Sequence, residues 1–150
     1  MRHITDLEWA RTCEHPRCIP KTRRLYGAKA AGIRYEKSVA KAIPGAIRGQ
    51  WFEFYDANGH GYCQTDVLVI GKANTLVIEC KLTDTEQAYE QLSRLYLPVV
   101  SMAFERHVIG LVVVRHLTKT SPRARVHENI IEAISLGGGL VHWLGNSALV

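Results

Sequence analysis

Three charged side chains stand at the margins of two apolar runs in the stretch TDVLVIGKANTLVIECKL, residues 65–82: Asp66, Glu79 and Lys81. Side chains change face at each step along a strand, so Glu79 and Lys81 point the same way while Cys80 points into the opposite layer. Asp66 precedes Glu79 by 13 residues, and a turn at GKAN brings it onto the neighbouring strand. Two carboxylates placed side by side suit one hard divalent cation, Mg2+ with Mn2+ as its substitute, and the backbone carbonyl of Cys80 offers a further oxygen ligand. A phosphodiester repels nucleophiles through its anionic oxygens; a bound metal offsets that charge and lowers the pKa of its water. Lys81 adds a movable positive group beside the attacking water. Glu36, the single acid in a strongly basic segment, is the fourth candidate, as ligand to a second metal or as the group that orients a water.

The elements around these residues follow from periodicity. IRYEKSVAKAIPG carries Ile33, Val39, Ala40 and Ile43 at helical spacing and stops at Pro44-Gly45, which puts Glu36 on a short helix. QWFEFYD alternates as a strand and NGHG reads as a turn. TDVLVIG and NTLVIECKL form a hairpin through Gly71 and Asn74. TDTEQAYEQLSRLYLP repeats Ala88, Leu92, Leu95 and Tyr96 as a helix, with Thr83 or Asp84 as its cap and Pro98 as its end. HVIGLVVVRH is the most apolar run and is expected to be a central strand. The last part predicts a helix up to the glycines at 137–139, then a short final strand. The order αβββαβαβ describes one α/β domain over residues 1–150, a mixed sheet flanked by helices, with residues 1–26 as an N-terminal extension.

Charge narrows the partner. Residues 17–48 hold nine basic side chains and one acid, a local charge of +8 in a chain whose net charge is +5, so the remainder is −3. Such a concentrated field favours a polyanion, held through its phosphates. Arg23, Arg24, Lys29, Arg34 and Lys37 are candidate phosphate contacts; with no recognition helix or zinc-finger spacing beside them, shape is read in preference to sequence. Gln91 and Gln87 share a helix face near the centre, and Gln91 is a further candidate contact. His60, Tyr35 and Tyr62 are open to either DNA contact or packing. Cys13, His15 and Cys18 make a zinc site conceivable, but the Cys-x4-Cys spacing is wider than usual, and reduced thiols are the expectation for Cys13, Cys18, Cys63 and Cys80. No apolar run reaches the roughly 18 residues of a membrane span, and the first residues lack the apolar stretch of a signal peptide, so a cytoplasmic protein is expected.

Asp66 followed by IECK at 78–81 resembles the signature of the PD-(D/E)xK nuclease superfamily, with Thr65 standing where the nominal proline would be. Within it, GIRYEKSVAKAI is similar to the N-terminal glutamate helix of the small archaeal-type Holliday junction resolvases, and EQLSRL to the helix after their catalytic strand. The resemblance spans about residues 27–97 and extends more weakly to Val114. It implies a restriction-endonuclease-like core and a Mg2+-dependent endodeoxyribonuclease in which Glu36, Asp66 and Glu79 manage the metal while Lys81 assists hydrolysis. It also implies a symmetric homodimer that cuts branched DNA at paired sites; Leu140, Trp143 and Leu144 of GGGLVHWLG fit the rim of a dimer interface and core packing equally well. A repair or restriction-like nuclease acting on another DNA form, and a non-catalytic nucleic-acid-binding domain, are the alternatives.

Overall fold

The hairpin that carries the charged residues is the frame of the molecule. Its β-branched run VLVI forms strand β5 (Val67–Ile70), and TLVIECKLT forms β6 (Thr75–Thr83); the two pair antiparallel, with Val67 opposite Ile78 and Ile70 opposite Thr75. At the turn the amide of Gly71 donates to the carbonyl of Asn74, and a Cβ on Gly71 would stand 2.8 Å from that oxygen, so only glycine closes the loop this tightly. The computed structural model describes residues 2–21, 26–83 and 85–116, with side chains through Arg115, and the backbone of two further strands at 130–136 and 139–144.

The remaining elements, in chain order, are β1 (Trp9–Cys13), α1 (Gly27–Ala42), β2 (Ile47–Arg48), β3 (Trp51–Asp56) and β4 (Gly59–Gln64), all before the hairpin. After it come α2 (Glu86–Gln91), a π turn (Leu92–Tyr96), α3 (Leu97–Phe104), β7 (Val108–His116), β8 (Ile130–Leu136) and β9 (Gly139–Leu144). They build a mixed α/β fold with two sheets: a six-stranded sheet in the order β2-β5-β6-β7-β9-β8 and a three-stranded sheet in the order β1-β3-β4. β6 and β7 are parallel, and the helical segment between them supplies the crossover that parallel pairing requires. As expected from its apolar run, β7 lies inside the sheet, with Val112, Val113 and Val114 fully buried.

Alternation along β6 sorts its side chains into two cores. Ile78, Leu76, Cys80 and Leu82 join Tyr35 and Val39 of α1 on one face. Val77 joins the other, with Phe52 and Phe54 from the small sheet and Leu92, Val99 and Val100 from the helical segment. Glu79 and Lys81 therefore share the face of Val77, which leads from this core to the sheet's C-terminal edge.

Several boundaries differ from those the sequence suggested. Residues 130–136, read above as a helix, form a strand paired with β9; their apolar residues at i, i+3 and i+4 are reconciled with an extended chain by a register shift between Glu132 and Ser135, and β-branched isoleucines favour it. The tight turn NGHG is narrower than read, because Gly59 already begins β4. Helix α1 starts at Gly27, a full turn and more before Ile33. Thr85, not Thr83, occupies the cap position of α2, without a side-chain cap hydrogen bond; Asp84 lies outside the described residues. Pro98 does not end the helical run but opens α3, because the wider π turn before it, where the Leu97 amide reaches back to Leu92, accommodates the missing N–H.

The first residues pack as part of the fold. β1 pairs with β3, and Ile4, Leu7 and Ala10 rest against the larger core. Among the described residues no helix is long and apolar enough to cross a membrane.

Candidate active site

Asp66 sits in the two-residue link between β4 and β5, and three backbone contacts fix that link. Thr65 is buried and donates its amide to Gln50, the Asp66 carbonyl accepts from Gly49, and Oδ2 of Asp66 accepts the amide of Cys80 at 2.9 Å. Thr65, the residue before Asp66, is thus held by its own hydrogen bonds. Continuing the register of the hairpin by one step places Asp66 opposite Glu79.

Glu79 is 3% exposed, and its Oε1 accepts from Nζ of Lys81 at 3.1 Å, while Oε2 is buried with no hydrogen-bond partner. Burial, then the nearby Asp66, push its carboxyl up to about 8, against the pull of Lys81. Burial also raises Asp66, although the Cys80 amide, Lys81 and Arg48 all favour its anion. Glu36 reaches the group from α1: burial and Asp66 push it up to about 7, and Arg48, 3.3 Å away, and Lys37 hold it back. Lys81, Arg48 and Lys37 do not offset the desolvation of these acids, and Glu36, Asp66 and Glu79 all remain raised.

Two of the acids, Glu36 and Asp66, line a groove of about 580 Å³ together with Lys81, Lys29, Ile33, Thr83, Thr85 and Gln87, while Glu79 lies buried behind Lys81 and does not line it. Lys29 is the one proposed phosphate contact that faces this groove; Arg34 and Lys37 are exposed on α1, and Arg23 and Arg24 lie outside the described residues. Of the two glutamines, Gln87 lines the groove, whereas Oε1 of Gln91 is buried and unpartnered. Tyr35 is core, 2% exposed, with Arg115 over its ring. Cys80 packs with α1, and burial, followed by the adjacent carboxylates, pushes its thiol far up, which removes it as a nucleophile. Residues 140–144 lie in β9, between β7 and β8; the side chains of Leu140, Trp143 and Leu144 are outside the described ones.

Two residues escaped the reading of the sequence. Arg48 was one of nine basic residues with nothing to single it out, yet β2 carries it to Glu36. Tyr96 looked like one more apolar-face residue; the π turn presents it to the centre, where burial and then the charges of Glu79 and Asp66 raise its hydroxyl.

Among the described residues no three His, Cys, Asp or Glu side chains are close enough to enclose a metal ion. That applies to Cys13, His15 and Cys18 too, where the His15 ring is taken up by the Ile19 carbonyl and the edge of Trp51. Mg2+, however, is commonly held by one or two carboxylates, with waters and substrate oxygens completing its shell. Asp66 and Glu79, with the orphaned Oε2, fit that demand in donor type and charge. Comparison of the chain with family models, with curated proteins and with solved structures gives no match.

Proposed function

We propose that this protein is a metal-dependent DNA endonuclease with a restriction-endonuclease-like core, hydrolysing phosphodiester bonds in the groove lined by Glu36, Asp66 and Lys81, with Glu79 buried beside it. The observation that carries the reading is the meeting of Asp66, Glu79 and Glu36 beside Lys81 and Arg48, with a buried carboxylate oxygen of Glu79 that no protein group satisfies. Carboxyls raised by burial and by each other mark a centre built for a cation that is not part of the chain.

Asp66 and Glu79, with the Cys80 carbonyl, would hold Mg2+ or Mn2+, and a metal bound there would offset phosphate charge and make its water more acidic. The chain's own residues do the rest. The Cys80 amide keeps Asp66 in place; Lys81, neutralising Glu79 at rest, is near enough to stabilise charge on a phosphate oxygen. Glu36, half in its proton-accepting range near neutrality, takes a proton from water or orients it. Arg48 keeps Glu36 pointed inward, and Lys29 steers phosphates to the groove.

Four-way junctions are the proposed substrate, resolved by a homodimer through paired nicks: the chain is small and basic, and GIRYEKSVAKAI around Glu36 and EQLSRL after the Glu79–Lys81 strand resemble helices of the junction resolvases. The test is a strand-labelled cleavage assay with Mg2+, Mn2+ or EDTA, comparing a mobile four-way junction, a fork, a flap, linear duplex and single-stranded DNA. Symmetry-related nicks giving ligatable duplexes support resolution. Preference for a fork, flap or linear DNA selects the repair or restriction-like alternative. Binding without cleavage of any substrate, by folded protein, sinks the nuclease.

A further inference from the structure

The small sheet carries an aromatic face that the chemistry above does not use. Phe52, Phe54 and Cys63 turn inward from β3 and β4, so the alternate residues of all three strands turn outward. On that outer face Trp9 and Tyr55 are paired across β1 and β3, stacked at 6.3 Å and 14°, and each is more than a third exposed. His60 lies beside them, 6.2 Å from Trp9 and edge-on to Tyr62 at 4.7 Å. Arg11, two-thirds exposed, sits 5.2 Å over the Trp9 ring. The single acid of the face, Glu53, is hydrogen-bonded to the His60 ring at 2.7 Å and ion-paired with Arg11 at 2.8 Å, and those bonds hold its carboxyl below the usual range.

This face runs into the candidate centre. Trp51 stands on the same side of β3 as Tyr55, four residues or about 13 Å away at strand rise. Trp51 also lines a second cleft, of about 330 Å³, whose other walls include Lys21, Arg48 and Gln64. That cleft meets the first groove at Glu36 and Asp66, which line both. Exposed rings in a row, Arg11 among them, and a cleft that carries Lys21 and Arg48 toward the candidate centre describe the surface that binds an unpaired strand: bases stack on the rings while phosphates follow the cations. A duplex hides the faces of its bases and has no use for such rings.

We infer that the outer face of the three-stranded sheet, centred on Trp9, Tyr55 and His60, binds a segment of single-stranded DNA and feeds it past Trp51 to Asp66. The inference rests on the nuclease reading only for the direction of the strand; the binding stands without it. Such a platform gives the enzyme a grip on the unpaired strand of an opened branch.

The probe is a fluorescein-labelled fifteen-nucleotide dT strand, with an abasic strand of equal length and charge as its partner, titrated by anisotropy in EDTA so that nothing is cut. Wild type is expected to bind dT at least about tenfold more tightly than the abasic strand, and W9A/Y55A to lose that difference, as the loss of one or two stacked bases requires. W9L/Y55L, which keeps apolar area and guards against a folding defect, is expected to lose it too, and W9F/Y55F to restore it. Equal binding of dT and abasic strands by wild type, or undiminished preference in W9L/Y55L, overturns the inference. Wild-type protein that grips dT through these rings and cuts no DNA in Mg2+ or Mn2+ sinks the nuclease reading alone.

Discussion

The backbone amide of Cys80 donates to Oδ2 of Asp66 at 2.9 Å, so the strand that presents Glu79 and Lys81 also sets the orientation of the acid opposite them. Asn in place of Asp66 keeps an oxygen for that amide and removes only the charge. D66N is therefore expected to keep its melting temperature and DNA affinity while turnover falls by more than ~100-fold, exceeding the loss typical of residues that merely support a metal ligand. Single-turnover cleavage at saturating Mg2+ checks this, and near wild-type rates would remove Asp66 from the metal.

Lys81 is the only cation bonded to Glu79 among the described residues. Its removal leaves a buried carboxyl with neither oxygen paired, and Glu79, already raised, rises further. K81A is expected to cut at least ~100-fold more slowly and to shift the acid limb of its pH–rate profile upward, because a more basic Glu79 holds its proton to higher pH. K81R, which restores the charge, is expected to return the limb toward its original position. A profile unmoved in K81A would show that Glu79 does not govern it.

Stability without metal carries the same signature. Glu79 is raised from about 4.5 to about 8 and Glu36 to about 7, so the folded state binds these protons more tightly than the unfolded chain. Their contribution is full below about pH 4.5 and is lost as pH rises toward 7 and 8. In EDTA the melting temperature is expected to fall over that window. E79Q is expected to flatten the fall, and Mg2+ to reverse it in wild type but not in E79Q, since a cation that binds only the folded chain stabilises it. A flat profile in wild-type EDTA would contradict the crowding of acids at the centre.

How much of this was legible before the structure depends on what each feature asks of the chain. The hairpin was legible because its two apolar runs, with Gly71 and Asn74 between them, constrain turn and register together, and so Asp66 and Glu79 met as expected. Glu36 was legible as an isolated acid in a basic helix. Arg48 was hidden because two residues of strand carry no periodic signal, and only the fold brings β2 beside α1. Tyr96 was hidden because an inserted π turn changes which face a helix residue takes without leaving a mark in apolar spacing. Residues 130–136 misled because Ile130, Ala133 and Ile134, at i, i+3 and i+4, satisfy both a helix and a bulged strand. The aromatic face went unread for a related reason: Trp9 and Tyr55 are 46 residues apart in the chain, and only the pairing of β1 with β3 stacks them.

The last expectation concerns what holds that face in place. Asp56, 1% exposed at the end of β3, accepts from Arg2 at 2.5 Å and from the amides of Thr5 and Asn58 at 3.0 Å each. Arg2 in turn donates to the carbonyls of Gly59 and His60 and lies over the Phe54 ring, and a Cβ on Gly61 would stand 2.6 Å from its guanidinium. The strap joins the first residues to the β3-β4 turn and so secures β1. Burial pushes the Asp56 carboxyl up, but its bonds to Thr5, Arg2 and Asn58 outweigh burial and hold it below its usual value. Its contribution is thus present above about pH 4 and lost as pH falls through the lowered folded value, the opposite sense to Glu79. D56A is expected to cost about 2–3 kcal/mol at pH 7, the scale of a lost charged hydrogen-bond set left partly unsatisfied, and less at pH 3. D56N, which keeps an acceptor but not the charge, is expected to fall between. Because β1 carries Trp9, D56A is also expected to weaken dT binding while D66N does not, and denaturant melts run beside the anisotropy titration would show both effects in one preparation. Wild-type stability in D56A would mean that the first residues are held by the apolar packing of Ile4 and Leu7 alone.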